Sequence, residues 1–136
     1  MRLGSRTTLL QPHSLTHCLY SEQAEEGRDE GGDVLRVDER HRHRYEVNPD
    51  IVPELEAAGL RFVGKDETGR RMEVLELRQE GGKDGKGHPF FVAAQFHPEF
   101  KSRPTAPSPL FLGLLRAAAR ERERRGVKEE GEGVPA

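Results

Sequence analysis

The sequence predicts a domain of the α/β class, in which strand-length runs alternate with capped helices. Three observations lead to it. Residues 90–96 are the most apolar run of the chain and have the length of a strand, which reads as a central strand buried on both faces. Residues 60–64 and 72–77 are β-forming runs on either side of a polar connection containing Gly69, the pattern of a hairpin. A cap residue is followed by proline at both Asn48-Pro49 and Ser108-Pro109, where a helix wants its N-cap and its first residue.

Taken in order, residues 7–10 precede the turn-forming Gln11-Pro12 and read as a short strand. Residues 21–33 carry Glu, Asp, Gly and Arg with almost no apolar side chain, so this acidic stretch is expected to be an exposed loop. From 34 to 47 the pattern alternates. In an extended chain Arg40, Arg42 and Arg44 would fall on one side, with His41, His43 and Tyr45 on the other. Ile51, Leu55 and Ala58 then lie at helical spacing, and Gly59 stands where a left-handed C-cap is wanted. Residues 79–87 read as a loop rich in Gly and Lys. After Ser108-Pro109, the residues Leu110, Phe111, Leu114, Leu115 and Ala118 would form one apolar face of a last helix. Residues 120–136 alternate Arg with Glu and drift into Lys, Glu and Gly, so a solvated, disordered tail is expected there.

Composition narrows the function. The 136 residues suffice for one modest core. Only 33% are hydrophobic and 34% are charged, whereas about half of an ordinary domain is apolar. The 22 Lys and Arg nearly cancel the 24 Asp and Glu. The molecule as a whole therefore has no field to attract nucleic acid or membrane, and the short basic stripe at 40–44 has few aromatics beside it. No run approaches the ~20 apolar residues that span a bilayer, and no signal-peptide pattern opens the chain. The single cysteine, Cys18, excludes an internal disulfide framework and fits a reducing compartment, so a cytoplasmic location is expected.

The chemistry concentrates after the apolar run, in Gln95-Phe96-His97-Pro98-Glu99-Phe100. Proline keeps the preceding residue extended, and residues two apart in an extended chain project to one side. Glu99 can therefore reach an imidazole nitrogen of His97. A carboxylate that orients a histidine is the base-and-orienter half of a catalytic triad, and its other ring nitrogen would face a nucleophile. Cys18 does not qualify as that nucleophile: it sits in His17-Cys18-Leu19-Tyr20, without the small neighbours a strained nucleophile turn requires, and a lone cysteine is more often a small buried hydrophobe. His41 and His43, with His13 and His17, lack the convergent spacing of a zinc site, and no metal is expected.

The segment from Phe91 to Pro104, Phe-Val-Ala-Ala-Gln-Phe-His-Pro-Glu-Phe-Lys-Ser-Arg-Pro, resembles the C-terminal signature of the class I glutamine amidotransferase domain of CTP synthases. The run from Glu39 to Asn48, Glu-Arg-His-Arg-His-Arg-Tyr-Glu-Val-Asn, resembles a second signature of that family, and Met1-Arg2-Leu3-Gly4 a third. They occur in family order over residues 1–119. The resemblance implies an α/β amidotransferase domain with a central, largely parallel sheet flanked by helices, of which this chain is the C-terminal portion. It implies that His97 and Glu99 serve a cysteine nucleophile and that Arg44 helps hold glutamine, a role suited to guanidinium, which pairs with an α-carboxylate. In the family the nucleophile lies upstream of the Met-Arg-Leu-Gly segment, so the chain is expected to be an inactive fragment when alone. The resemblance implies a ligase that makes CTP from UTP with ammonia released from glutamine. ATP and Mg are used by an N-terminal synthetase domain, this part needs no cofactor, and the whole enzyme forms homo-tetramers and filaments. A non-catalytic remnant acting as a binding or assembly module is the alternative.

Overall fold

A computed structural model describes residues 3–24, 33–77 and 88–131. The five strands are β1 (Gly4–Leu10), β2 (Leu35–His41), β3 (Leu60–Lys65), β4 (Met72–Leu77) and β5 (Val92–Ala94). They form one curled sheet in the order β2-β1-β3-β4-β5. The α/β class holds, with helices α1 (Leu15–Gln23), α2 (Val52–Ala57) and α3 (Pro109–Gly131). The expected parallel arrangement does not: every strand pair among the described residues is antiparallel. The turn between β3 and β4 is far shorter than the dozen or more residues a parallel crossover requires, and it folds as predicted, with Gly69 at φ 73° and Asp66 accepting from the amides of Arg70 and Arg71.

Alternation along β1 and β2 builds one wall of the core. Thr8 and Leu10 are fully buried, and they pair with Val37 and Leu35. Val37, Glu39 and His41 share one face of β2 because successive side chains point to opposite sides. Leu10, Val63, Val74, Phe96 and Leu110 form the apolar centre, with Leu19, Tyr20 and Val92 packed around it.

The run 90–96 is not a central strand. Only Val92–Ala94 is a strand, it lies at the sheet's edge, and Phe91 is 42% exposed. Apolar content marks packing but cannot distinguish an edge from a centre. Here Phe96 fills the core, while the Phe90 ring lies against Gly113 of α3.

Helix α1 has no counterpart in the sequence reading, and it takes in the first residues of the expected acidic loop. Its residues, LTHCLYSEQ, include several weak helix formers. Tertiary contacts supply what propensity lacks. The Ser14 hydroxyl caps the His17 amide, and the buried Glu76 carboxylate of β4 accepts from the Leu15 amide at 3.2 Å and from the Thr16 amide and hydroxyl at 2.7 Å. These are free donors of a helix's first turn, where negative charge is also favoured. Residues 25–32 of the acidic stretch lie outside the described residues, as do residues 79–87.

Residues 48–59 fold as predicted. The Asn48 side chain accepts from the Asp50 amide, a 3-10 turn at Pro49–Ile51 leads into α2, and Gly59 has φ 108°. The last helix differs in both its buried face and its length. Leu110 is buried, but Phe111, Leu114 and Leu115 are 40%, 50% and 68% exposed. The packed stripe runs through Leu110, Gly113 and Ala117 instead. Gly113 admits Leu19 of α1 so closely that a Cβ there would lie 2.8 Å from it. In place of a tail beginning at 120, α3 continues to Gly131. Glu121 bonds Arg124 and Arg125 one turn on, the spacing at which opposite charges support a helix.

The curl has a local cause. β1 meets β3 at only Leu9↔Lys65 and Leu10↔Gly64, and the β3–β4 register shifts on either side of Gly64, as bulges do when they bend a strand. A Cβ on Gly64 would lie 2.7 Å from the Cβ of Val74. Gly64→Ala is therefore expected to destabilise the chain by about 1–3 kcal/mol through overpacking, read as a lower urea midpoint. Glu76→Ala is expected to cost about 1–3 kcal/mol by orphaning buried donors at the start of α1. Circular dichroism should show the accompanying loss of helix; an unchanged midpoint would refute the capping role.

Candidate functional site

The site forms where the two edges of the curled sheet meet. After β5, the Gln95 amide donates to the Glu73 carbonyl of β4 at 2.8 Å, and two residues later the His97 amide donates to the Arg40 carbonyl of β2 at 2.9 Å. Phe96, between them, is buried and packs edge-on against His41 at 6.0 Å. Lys101 donates its ammonium to the Asp38 carbonyl. The main chain around His97 is thus pinned to β4 on one side and to the edge strand β2 on the other.

Pro98 opens a 3-10 turn, Pro98–Phe100, for which His97 is the extended residue before the first turn. This is the geometry the His-Pro-Glu spacing predicts. His97 Nδ1 lies 2.6 Å from Glu99 Oε1. The Glu99 carboxyl is held below the ordinary carboxylate range, first by its own backbone amide and then by the His97 imidazole. An ionised carboxylate accepts only, so it selects the tautomer with the proton on Nδ1. The other nitrogen, Nε2, is buried without a hydrogen-bond partner among the described residues. It is left as a lone-pair acceptor, the requirement for a base.

Two aromatic rings stack on this imidazole. His43 stacks on it with centroids 4.6 Å apart and planes at 22°, and Phe100 with 5.1 Å and 29°. His43 stands past the end of β2, so the alternation expected over 34–47 stops at His41. His41 turns inward to Glu73, with Nδ1 3.6 Å from Oε2, while His43 turns to His97. Arg44 is exposed on the same segment, between His43 and Tyr45, whose carbonyl accepts from Gln95 Nε2 at 2.6 Å. The backbone on each side of Arg44 is tied to the His97 loop.

Cys18 is elsewhere, on α1. It is exposed and not a buried hydrophobe. Its thiol faces Glu22 Oε1 at 3.6 Å, and partial burial of the thiol, then the Glu22 charge, push its pKa up. A thiol so placed is a poor nucleophile, because the thiolate is the reactive form. The sequence reading quoted His43, Gln95 and Phe100 within the signature runs but gave them no role in the site. Stacking and a side chain-to-backbone tether leave no pattern in a sequence.

Comparison with known proteins gives the family and the fold of the chain. The family profile for glutamine amidotransferase class-I matches residues 13–117. The CTP synthase of Dictyostelium discoideum is 52% identical over 119 residues, 87% of this chain and 18% of that protein. The CTP synthase of Archaeoglobus fulgidus is 45% identical over 122 residues, 90% and 19% of the two. The chain thus spans about a fifth of the length of these curated relatives. Among solved structures, the glutaminase domain of Trypanosoma brucei CTPS with bound acivicin superposes with a TM-score of 0.66 at 35% identity, covering 88% of this chain and 40% of that one.

The lowered Glu99 pKa has a testable sign. Its contribution is present above the ordinary carboxylate pKa and is lost as pH falls through the lowered folded value. Carbon NMR of the Glu99 carboxyl should titrate below the ordinary value of 4.5, and His97→Ala should move the midpoint upward. A midpoint at the ordinary value in the unaltered chain would contradict the pair.

Proposed function

This chain belongs to the glutamine amidotransferase class-I family, and we propose that it supplies the base, the orienting carboxylate and part of the glutamine site for a glutamine-hydrolysing CTP synthase. The observation that carries this is the His97 imidazole itself: Nδ1 is bonded to Glu99 and Nε2 is buried and unpartnered among the described residues. His97 takes the proton from a cysteine as it attacks the glutamine amide, then delivers a proton to the leaving ammonia. Glu99 holds the tautomer and stabilises the imidazolium formed in between. Arg44 binds the α-carboxylate of glutamine.

The ammonia aminates UTP to CTP in an ATP- and Mg-dependent step carried by a synthetase domain. Cys18, the chain's single cysteine, is unsuited to the nucleophile's role, so these residues act when joined to a segment that provides one. The 136 residues by themselves are expected to release no ammonia from glutamine above background.

In the completed enzyme, His97→Ala is expected to lower glutamine-dependent CTP formation by about 10²- to 10⁴-fold. Ammonia-dependent formation should survive, because external ammonia bypasses glutamine hydrolysis. Glu99→Gln should give a smaller loss in the same direction, since the ring remains but its orientation weakens. Arg44→Ala should raise KM for glutamine more than it lowers kcat. Paired kinetics with glutamine and with ammonium chloride test all of these. Equal loss of both activities in a folded His97→Ala protein would replace the catalytic role with a structural one.

A further inference from the structure

Resting on that reading of His97 as the base, we infer that His43 is a positioning residue for it, acting as one half of an aromatic clamp whose other half is Phe100. A hydrogen bond from Nδ1 to Glu99 fixes one point on the imidazole. It leaves the ring free to swing about the line to that carboxylate, and such a swing carries Nε2 in an arc. A base must lie within hydrogen-bond reach of the proton it takes, so this motion directly reduces productive geometry.

His43 and Phe100 oppose the swing. Their centroids lie 4.6 Å and 5.1 Å from that of His97, with interplanar angles of 22° and 29°, within the range where offset rings attract. A ring lying nearly parallel to the imidazole resists its rotation out of the plane, and two such rings resist it together. The two halves come from different places. Phe100 belongs to the turn that also carries Glu99, whereas His43 comes from the segment after β2 and reaches His97 because the Arg40 carbonyl holds the His97 amide.

Carboxylate and backbone alone do not account for both half-exposed rings. Phe100 is 42% exposed and His43 is exposed, so neither is placed there by burial in the core. What each does is lie flat on the imidazole. His43 is also two residues from His41, which turns to the buried Glu73, so the paired histidines divide the work: one packs the interior and the other steadies the base.

The test is nitrogen-proton NMR of the histidine rings in the 136-residue chain, near pH ~8 where imidazoles are neutral. The unaltered chain should show His97 with its proton on Nδ1 and slow exchange of that proton with water. His43→Ala should speed the exchange about 2- to 12-fold, the range one aromatic pair contributes. His43→Phe should restore the slow exchange, and His43→Leu, of similar bulk without a flat ring, should behave like alanine. Amide exchange of Val63 and Val74 reports whether the core is intact in each variant. Unchanged Nδ1 exchange in His43→Ala, or full restoration by leucine, overturns the clamp while leaving the Glu99 pair in place. An unaltered His97 with no preference for the Nδ1 proton overturns the reading of it as the base, and the clamp with it.

Discussion

The structure turns on one backbone hydrogen bond, from the His97 amide to the Arg40 carbonyl. In strand order β2 and β5 are opposite edges of the sheet, yet this bond joins the end of one to the exit of the other. It is possible only because the sheet curls, and the curl rests on Gly64, where β3 and β4 approach too closely for a side chain. A sheet edge left open would also expose unpaired amides and carbonyls. Bringing the two edges together satisfies some of them and places His41, His43, Gln95 and His97 around one point.

The interior is unusual in how much polarity it holds. Glu39, His41, Glu73, Glu76 and Thr16 are all buried, and burying such groups is tolerable when they are hydrogen-bonded. Tyr20 donates to Glu39 at 2.7 Å, and burial, followed by the Glu39 carboxylate, pushes the Tyr20 phenol pKa up. Glu76 anchors α1. His41 faces Glu73. With an apolar fraction of only 33%, the chain relies on these specific pairs to join helix to sheet. They demand one arrangement, where apolar contacts alone would accept several.

That rigidity serves the imidazole. Its amide is bonded to β2, one ring nitrogen to Glu99, and its ring is stacked by His43 and Phe100, which leaves Nε2 without a hydrogen-bond partner among the described residues. A group positioned from several elements at once is held in one geometry, which is what the proposed proton transfer requires. Glu99 itself is half-exposed, so the hydrogen bonds that favour its ionised form outweigh the desolvation that opposes it.

How much of this was legible follows from which interactions are local. The His97–Glu99 pair, the Asn48 cap, Gly59 and the 66–71 turn could all be read from sequence, because each is set by residues within a few positions and by the backbone restrictions of Pro and Gly. Family membership was legible too, in the ordered signature runs. The strand directions, the edge position of 90–96, the rotated face of α3 and the existence of α1 were not. Each is decided by a partner distant in the chain: Glu76 caps a helix 60 residues away, Gly113 admits Leu19, and the pairing of β1 with both β2 and β3 sets the sheet. The sequence by itself determined the pairing of His97 with Glu99, on which the proposed base rests. Only the tertiary structure decided that His43 stacks on the His97 imidazole, because stacking depends on two segments being brought together by a sheet closing on itself, and no local spacing encodes that closure.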